Sequence, residues 1–432
     1  MLTAKYVRDR LAEMQESLDR RGSSYPIKEL LELDDKAKVI RNEVQGLRAK
    51  RNKGSMEISE MKKSGEAGVG TKVAELADIK SRIDKLEADL IKYDERINEL
   101  LWNMPNILDK SVPVGNPPEA NKVLGNWGTC KDRNIGTHEE ILEKLHLLDM
   151  ERAAKVAGAR FYYLKGDLVL LEQSLGRYAL DFMAKKGYTP VLPPFMLRKK
   201  YYRSVAPLAT FEDALYRAGE SNEASAVKDI EHIEDELFMI GTSEHSLAAM
   251  HAEELLSVKD FPLRYAGISP CFRREAGAHG RDQKGIFRVH QFDKVEQFIY
   301  CRQEDEAKYF DELLTNSEEI WKSLEIPYQL ILLCSGDTGH QMAKSVDLEG
   351  WFPGQKAYRE LGTCSTARDW QSVRLDIRYD EGGERRYAYT LNNTAISMAR
   401  TLACIVENYV NDDGTITVPE VLVPYMGKRK IG

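Results

Sequence analysis

The chain has 432 residues, 42% hydrophobic and 30% charged, enough for two or three domains with a substantial core. No run of about 18 apolar residues occurs, and the opening MLTAKYVRDRLAEMQ lacks an apolar segment, so neither a membrane span nor a secretory or transit leader is expected. The net charge of −7 argues against nucleic-acid binding through overall charge, so any such contact must use a local basic patch.

In chain order, Leu30, Leu33, Ala37, Ile40, Val44 and Leu47 step by three and four residues. Leu76, Ile79, Ile83, Leu86, Leu90, Tyr93, Ile97 and Leu100 do the same. Two narrow apolar stripes joined by a turn predict an antiparallel helical hairpin, with its bend in KGSMEISEMKKSGEAGVGTK (53–72). Each arm of about 30 residues would extend roughly 45 Å. Arg48, Lys50, Arg51 and Lys53, with Lys62 and Lys63 across the bend, would place positive charge near the tip, where it could meet phosphates. A coiled-coil dimerisation or scaffold element explains the stripes equally well. GEAGVGTK (65–72) is not a phosphate loop, because the order is Gly-Thr-Lys and no strand precedes it; it reads as the hairpin bend.

Residues 103–118 are rich in Pro, Gly and Asn and read as a linker. The expected division is a helical arm over 1–110, a linker over 111–136 and a larger domain over 137–432. That larger domain mixes helices with Val-, Ile-, Tyr- and Phe-rich stretches, which predicts an α+β fold with a largely antiparallel sheet. Leu168, Leu171, Leu175, Tyr178 and Phe182 form a helical stripe ended by Gly187, and YTPVLPP then reads as an edge strand closed by prolines. The acidic stretch 217–236 reads as a surface loop. Six cysteines (Cys130, Cys271, Cys301, Cys334, Cys364, Cys404) show no CxxC pair, which fits reduced thiols in the cytoplasm better than a zinc site.

The richest segment is RYAGISPCFRREAGAHGRDQKGIFRVHQFDKVEQF (264–298). It predicts two antiparallel strands joined by a loop with three glycines. Alternation puts Arg273 and Glu275 on one face of the first strand, and Arg288, Phe292 and Glu296 on one face of the second, with His290 and Lys294 between them. Such a face is a poor core and a good floor for a nucleotide: arginine recognises phosphate and an aromatic ring stacks on a base. Cross-strand ion pairs on a solvated face would give the same pattern.

The FRRE…RVHQFDKVE run resembles motif 2 of the class II aminoacyl-tRNA synthetases, in the form found in the seryl-tRNA synthetase family. The helix–strand–proline unit resembles motif 1, the dimer-forming element. LNNTAISMARTLACIVENYV (391–410) resembles motif 3, VPEVLVPYMG (418–427) is similar to the family's C-terminal run, and the N-terminal hairpin is similar to the arm that grips the variable arm of its tRNA. The likeness runs in order from about residue 1 to 427.

That resemblance implies an antiparallel-sheet catalytic domain carrying a coiled-coil arm, a cytoplasmic homodimer with no membrane attachment, and ligation of L-serine to tRNA(Ser), with selenocysteine tRNA as a further acceptor where present. ATP is the implied substrate and Mg²⁺ the implied metal. Arg273 would contact the α-phosphate and the carbonyl of the activated serine, and Arg400 the γ-phosphate. Glu275 would receive the adenine amino group and Phe292 stack beneath the ring. Arg274 and Val289 belong to the same ATP-contacting set, Val289 through its backbone. Glu360, Leu361, Gly362 and Thr363 would bind ATP, with Glu360 and Thr363 holding the metal. Thr242, Ser243 and Glu244 would surround the serine amino group, and Glu296 and Thr394 would meet its hydroxyl. Read without the family, Thr242 and Glu244 are simply a helix cap and a favourable first-turn acid. Arg48, Lys50, Arg51 and Lys53 would contact tRNA. The sequence departs from the usual pattern at Arg274, where many relatives have serine, and in TCSTARDWQSVR (363–374). Two other readings remain: a related enzyme loading an amino acid onto a non-tRNA acceptor, and a noncatalytic paralogue.

Overall fold

The computed structural model describes residues 2–65, 67–207, 214–218, 236–275 and 285–432. These form two compact units, one of residues 2–19 and 23–104, the other of residues 20–22 and 105–432. Most of the expected loop at 217–236 lies outside the described residues. Among those described, no helix is long and apolar enough to cross a membrane.

The smaller unit is built on two long helices, α1 (Ile27–Ser64) and α2 (Val69–Trp102). Leu30, Ala37 and Val44 are buried on the first, and Ile83, Ile97 and Leu100 on the second. The helices run antiparallel, as their ion pairs record: Glu29 meets Arg96, Arg48 meets Glu87 and Glu57 meets Lys72. Exposed pairs of this kind contribute little each, so the apolar seam carries the packing.

The bend falls within GEAGVGTK (65–72), as expected, but the basic cluster lies farther from it than expected. Helix α1 continues through KGSMEISEMKKS to Ser64, and the chain reverses only at residues 65–68, where Gly65 (φ 71°) and Gly68 (φ 102°) take left-handed conformations. Gly54 does not break the helix: it is buried where Leu76 approaches, and a Cβ there would lie 2.7 Å from Leu76 Cδ2. At 38 residues α1 is about 57 Å long. Arg48, Lys50, Arg51 and Lys53 therefore stand along the arm, about 15–25 Å before the bend, and not at its tip.

The larger unit is organised by an eight-stranded sheet. Its strands are β1 (Lys122–Trp127), β2 (Thr189–Val191), β3 (Leu263–Phe272), β4 (Gln291–Cys301), β5 (Tyr328–Leu332), β6 (Lys344–Phe352), β7 (Ala357–Arg368) and β8 (Tyr389–Ser397). They lie in the order β1-β5-β6-β7-β8-β4-β3-β2, with every neighbouring pair antiparallel except β2 and β3. Residues 111–136, expected as a linker, contain β1. Just upstream, the buried Asn106 amide donates to the carbonyls of Gln341 (2.9 Å) and Ala367 (2.8 Å).

Helices α3 (Asp167–Lys185), α4 (Ser243–Ala249), α5 (Glu306–Ser323), α6 (Trp370–Leu375) and α7 (Met398–Tyr409) pack around this sheet. Leu168, Leu171 and Leu175 of α3 join Leu402 and Val406 of α7 and Val295 and Ile299 of β4 in one core cluster, which is the burial that the α3 stripe predicts. Gly187 (φ 85°) turns the chain after α3 into β2, at one end of the sheet. On β4 the alternate residues Phe292, Lys294 and Glu296 line a cavity.

Candidate active site

The cavity has a volume of about 320 Å³ and sits on the polar face of strands β4, β6, β7 and β8. Two irregularities make that face. Across β6 and β7, Glu349 pairs with Glu360 but Leu348 pairs with Gly362, so Leu361 is an extra residue. The bulge reverses the alternation, and Glu360 and Thr363, three apart, both line the cavity while Leu361 is buried. Across β4 and β8, Val295 pairs with Ile396 but Glu296 pairs with Thr394, leaving Ala395 as the extra residue. Thr394 and Ser397 then both face the cavity.

Strand β3 ends at Phe272, so Arg273 and Glu275 follow the strand instead of sharing its face, and Glu275 lies in the left-handed region (φ 49°). Residues 285–290 are likewise not strand, because their backbone is committed elsewhere. Ile286 N–H donates to His138 Nε2 (3.3 Å), the Phe287 carbonyl accepts from Arg400 Nε (3.3 Å), and the His290 carbonyl accepts from the Arg273 amide (2.9 Å). This loop holds the Arg400 side chain and the Arg273 backbone. Arg273 Nε also donates to the Gly241 carbonyl (3.0 Å), and its guanidinium lies 5.4 Å from the Phe292 ring centre. Arg400 pairs with Glu360 at 2.8 Å and stands over the Phe287 ring at 4.9 Å. Arg288, expected beside Phe292, instead pairs with Glu275 at 3.2 Å.

At the other end of the cavity, α4 begins with Thr242, whose hydroxyl accepts from the Glu244 N–H at 3.2 Å. Ser243 Oγ donates to the Gly267 carbonyl (3.2 Å), tying α4 to β3. Glu244 faces inward, where Gln371 Nε2 on α6 donates to it at 3.0 Å. Glu296 is held by Lys294 Nζ at 2.5 Å and by Thr394 Oγ1 at 3.5 Å.

Burial, and then the neighbouring Glu296, push the Glu244 carboxyl up to about 7. Burial and the adjacent Glu360 push Asp347 well above the carboxylate range, and its Oδ1 accepts from Thr363 Oγ1 at 2.6 Å. The Arg400 charge holds Glu360 below its ordinary value despite burial. His245 is driven down to about 3 by burial and by Arg273 and Lys294, so it is neutral.

Of the residues proposed from sequence, Arg273, Phe292, Glu360, Leu361, Gly362, Thr363 and Arg400 line the cavity together with Glu244, Glu296 and Thr394. Arg274 and Glu275 stand beyond the end of β3, Val289 is buried in the core cluster, and Thr242 and Ser243 act in the α4 cap and its tie to β3. Lys294, Asp347 and Asn392 line the cavity without having been singled out as ligand contacts. Lys294 had a signal, two residues before Glu296 on a strand. Asp347 had none, since only the β6–β7 pairing brings it to Thr363.

Residues 1–108 match the family model described as the seryl-tRNA synthetase N-terminal domain, and residues 226–409 match the class II tRNA synthetase core domain for G, H, P, S and T. A serine--tRNA ligase from Nitrosopumilus maritimus is 42% identical over 434 residues, covering 100% of both chains. The chain belongs to the seryl-tRNA synthetase family. It is a class II enzyme, a serine--tRNA ligase. The crystal structure of the Pyrococcus horikoshii seryl-tRNA synthetase complexed with ATP matches with a TM-score of 0.86 at 39% identity, covering 100% of this chain and 99% of that one. A Naegleria fowleri serine-tRNA ligase in complex with AMP matches with a TM-score of 0.77 at 34% identity, covering 97% and 95%.

Gly362 is fixed by the site, because a Cβ there would lie 2.8 Å from Thr394 Cβ. Gly362→Ala should lower the unfolding free energy by about 1–3 kcal/mol, through overpacking against a backbone-attached atom. If Thr394 meets the seryl hydroxyl, as the resemblance implies, the variant should also raise the KM for serine more than that for ATP, since Thr394 is the group displaced. Urea titration and pyrophosphate-exchange kinetics check both; equal effects on the two KM values would contradict the local geometry.

Proposed function

We propose that the cavity is where serine is activated and that its residues divide into an ATP end and a serine end. The observation that carries this reading is the convergence of two anchored guanidinium groups, Arg273 and Arg400, on one cavity whose far wall holds Glu244, Glu296 and Thr394. The serine carboxylate attacks the α-phosphorus of ATP, forming seryl-adenylate and expelling pyrophosphate. A ribose hydroxyl at the 3′ end of tRNA(Ser) then takes the acyl group and AMP leaves; a selenocysteine tRNA, where present, is a further acceptor. Arg273 stabilises charge at the α-phosphate and Arg400 at the γ-phosphate, by positioning and electrostatics with no side-chain nucleophile. Phe292 offers a stacking face for adenine, with Arg274, Glu275 and Val289 beside it; Glu244 takes the serine ammonium within the frame of Thr242 and Ser243.

Magnesium fits the donor chemistry. Glu360 and Thr363 both present oxygen ligands to the cavity, and no group of three His, Cys, Asp or Glu among the described residues could hold an ion unaided. This suits Mg²⁺, which binds through one or two protein oxygens plus phosphates and water. When bound, it neutralises phosphate charge. Glu360 and Thr363 would hold it, with Asp347 orienting the Thr363 hydroxyl.

The arm, residues 1–110, is read as the tRNA-binding part, with 111–136 as its connection and 137–432 as the catalytic domain. Lys50 and Lys53 are exposed, Arg51 is half-buried and Arg48 shares its charge with Glu87, so phosphate contacts would be made along the side of α1. A homodimer is supported by β2, which ends the sheet, and by Leu170 and Leu192, exposed by 48% and 74%. A cytoplasmic setting accords with six free thiols.

Two variants test the division of labour. Replacing residues 34–100 by a short linker should leave serine-dependent pyrophosphate exchange in place while abolishing efficient tRNA charging. Arg400→Ala should reduce exchange itself by roughly 10²–10³. Loss of both activities in a folded arm-deleted protein, or near-normal exchange in Arg400→Ala, would overturn the assignment.

Serine binding should also depend on pH. Only ionised Glu244 pairs with the ammonium, and its carboxyl is pushed up to about 7 in the empty site. Affinity is therefore full above that pH and is lost as pH falls through it. The KM for serine should rise about tenfold between pH 8 and pH 6; a flat profile would show that Glu244 is not the ammonium partner.

A further inference from the structure

We propose that Lys294 is a positioning residue for serine selection: its ammonium keeps the Glu296 carboxylate ionised and aimed, so that Glu296 acts only as an acceptor for the seryl hydroxyl. This rests on the reading of Glu296 as the hydroxyl's partner and assigns the group that makes that role possible.

The geometry is specific. Lys294 and Glu296 point to one face of β4, are 6% and 1% exposed, and meet at 2.5 Å. Lys294 Nζ and Thr394 Oγ1 both contact Oε2 of Glu296, which leaves Oε1 as the oxygen for a ligand's donor. A buried charge without a counter-charge is costly and gives way to the neutral form. The chamber contains its own comparison. Glu244, across from Glu296 on α4, has an amide partner but no ion pair among the described residues, and its carboxyl is pushed up to about 7 by burial and by Glu296. Among the described residues, the buried thiols of Cys271 on β3 and Cys364 on β7 also bear on Glu296, while Arg273 beyond β3 bears on Glu244 and neutral His245 on α4 lies near Lys294. Lys294 is the cation in contact with Glu296.

The protonation state decides selectivity. A carboxylate offers acceptors alone and needs a donor, which serine supplies and alanine lacks; left unpaired and buried, it penalises alanine. A protonated carboxyl can donate as well, and its penalty against alanine shrinks.

The test is the kcat/KM ratio for serine over alanine in pyrophosphate exchange, measured from pH 6 to pH 9. The ammonium contact at Glu244 is common to both amino acids and cancels in the ratio. In Lys294→Met, which keeps the chain length and removes the charge, the ratio should fall by at least about tenfold at pH 6 and climb back as pH rises and Glu296 ionises unaided. Lys294→Arg should restore most of the ratio at every pH. A wild-type ratio in Lys294→Met, or one lowered equally at all pH values, would overturn the proposal; Lys294→Gln serves if the Met variant does not fold. Glu296→Gln separates the two readings. An unchanged ratio there removes Glu296 from the hydroxyl, whereas a lowered ratio there beside a wild-type Lys294→Met removes only the role given to Lys294.

Discussion

The constraint on which this structure turns is a charged sheet face gathered into one cavity, with Lys294 and Glu296 buried in it. Lys294, Glu296, Glu360, Asp347 and Thr363 project from the interior strands of the main sheet into one cavity. Well-packed apolar residues at such positions would often be at least as stabilising. The face stands because its charges are paired, Lys294 with Glu296 and Arg400 with Glu360, while Thr363 donates a hydrogen bond to Asp347. Such pairs are already ordered before a ligand arrives, so charge on the ligand meets groups that need little further reorganisation.

Holding that face requires departures from regular geometry. Without the bulges at Leu361 and Ala395, strand alternation would send either Glu360 or Thr363, and either Thr394 or Ser397, to the apolar side. In the loop at residues 285–290 the Phe287 carbonyl accepts from the Arg400 side chain, and the His290 carbonyl accepts from the Arg273 backbone just past the last β3–β4 pair. Irregularity is thus concentrated around the cavity, while α3 and α7 pack on Val295 and Ile299 with ordinary apolar stripes.

This pattern explains what could be read from the sequence. The hairpin and the α3 stripe were legible because each repeats one residue class at one period over several turns. That Arg273, Phe292, Glu296, Thr394 and Arg400 gather at one cavity was legible from motif likeness. Facing was not, because a bulge reverses alternation without leaving a mark in residue type. Arg288 was assigned to a strand that begins only at Gln291, and the basic cluster at 48–53 was placed near the arm's tip although α1 runs on to Ser64. Asp347 was invisible for another reason, since its role depends on a neighbouring strand and not on its own surroundings in the chain.

The account's central claim is that this ion-paired face recognises serine through its hydroxyl at the activation step, before tRNA is involved. The most direct measurement is ATP–pyrophosphate exchange by the intact, unmodified chain without tRNA, with serine, alanine and threonine compared at equal concentration. The account predicts exchange with serine, alanine slower by a factor of about 10⁴ because the buried acceptor is left unpaired, and threonine disfavoured by a smaller factor set by shape. Alanine supporting exchange as well as serine, or no exchange with serine at all, would contradict it.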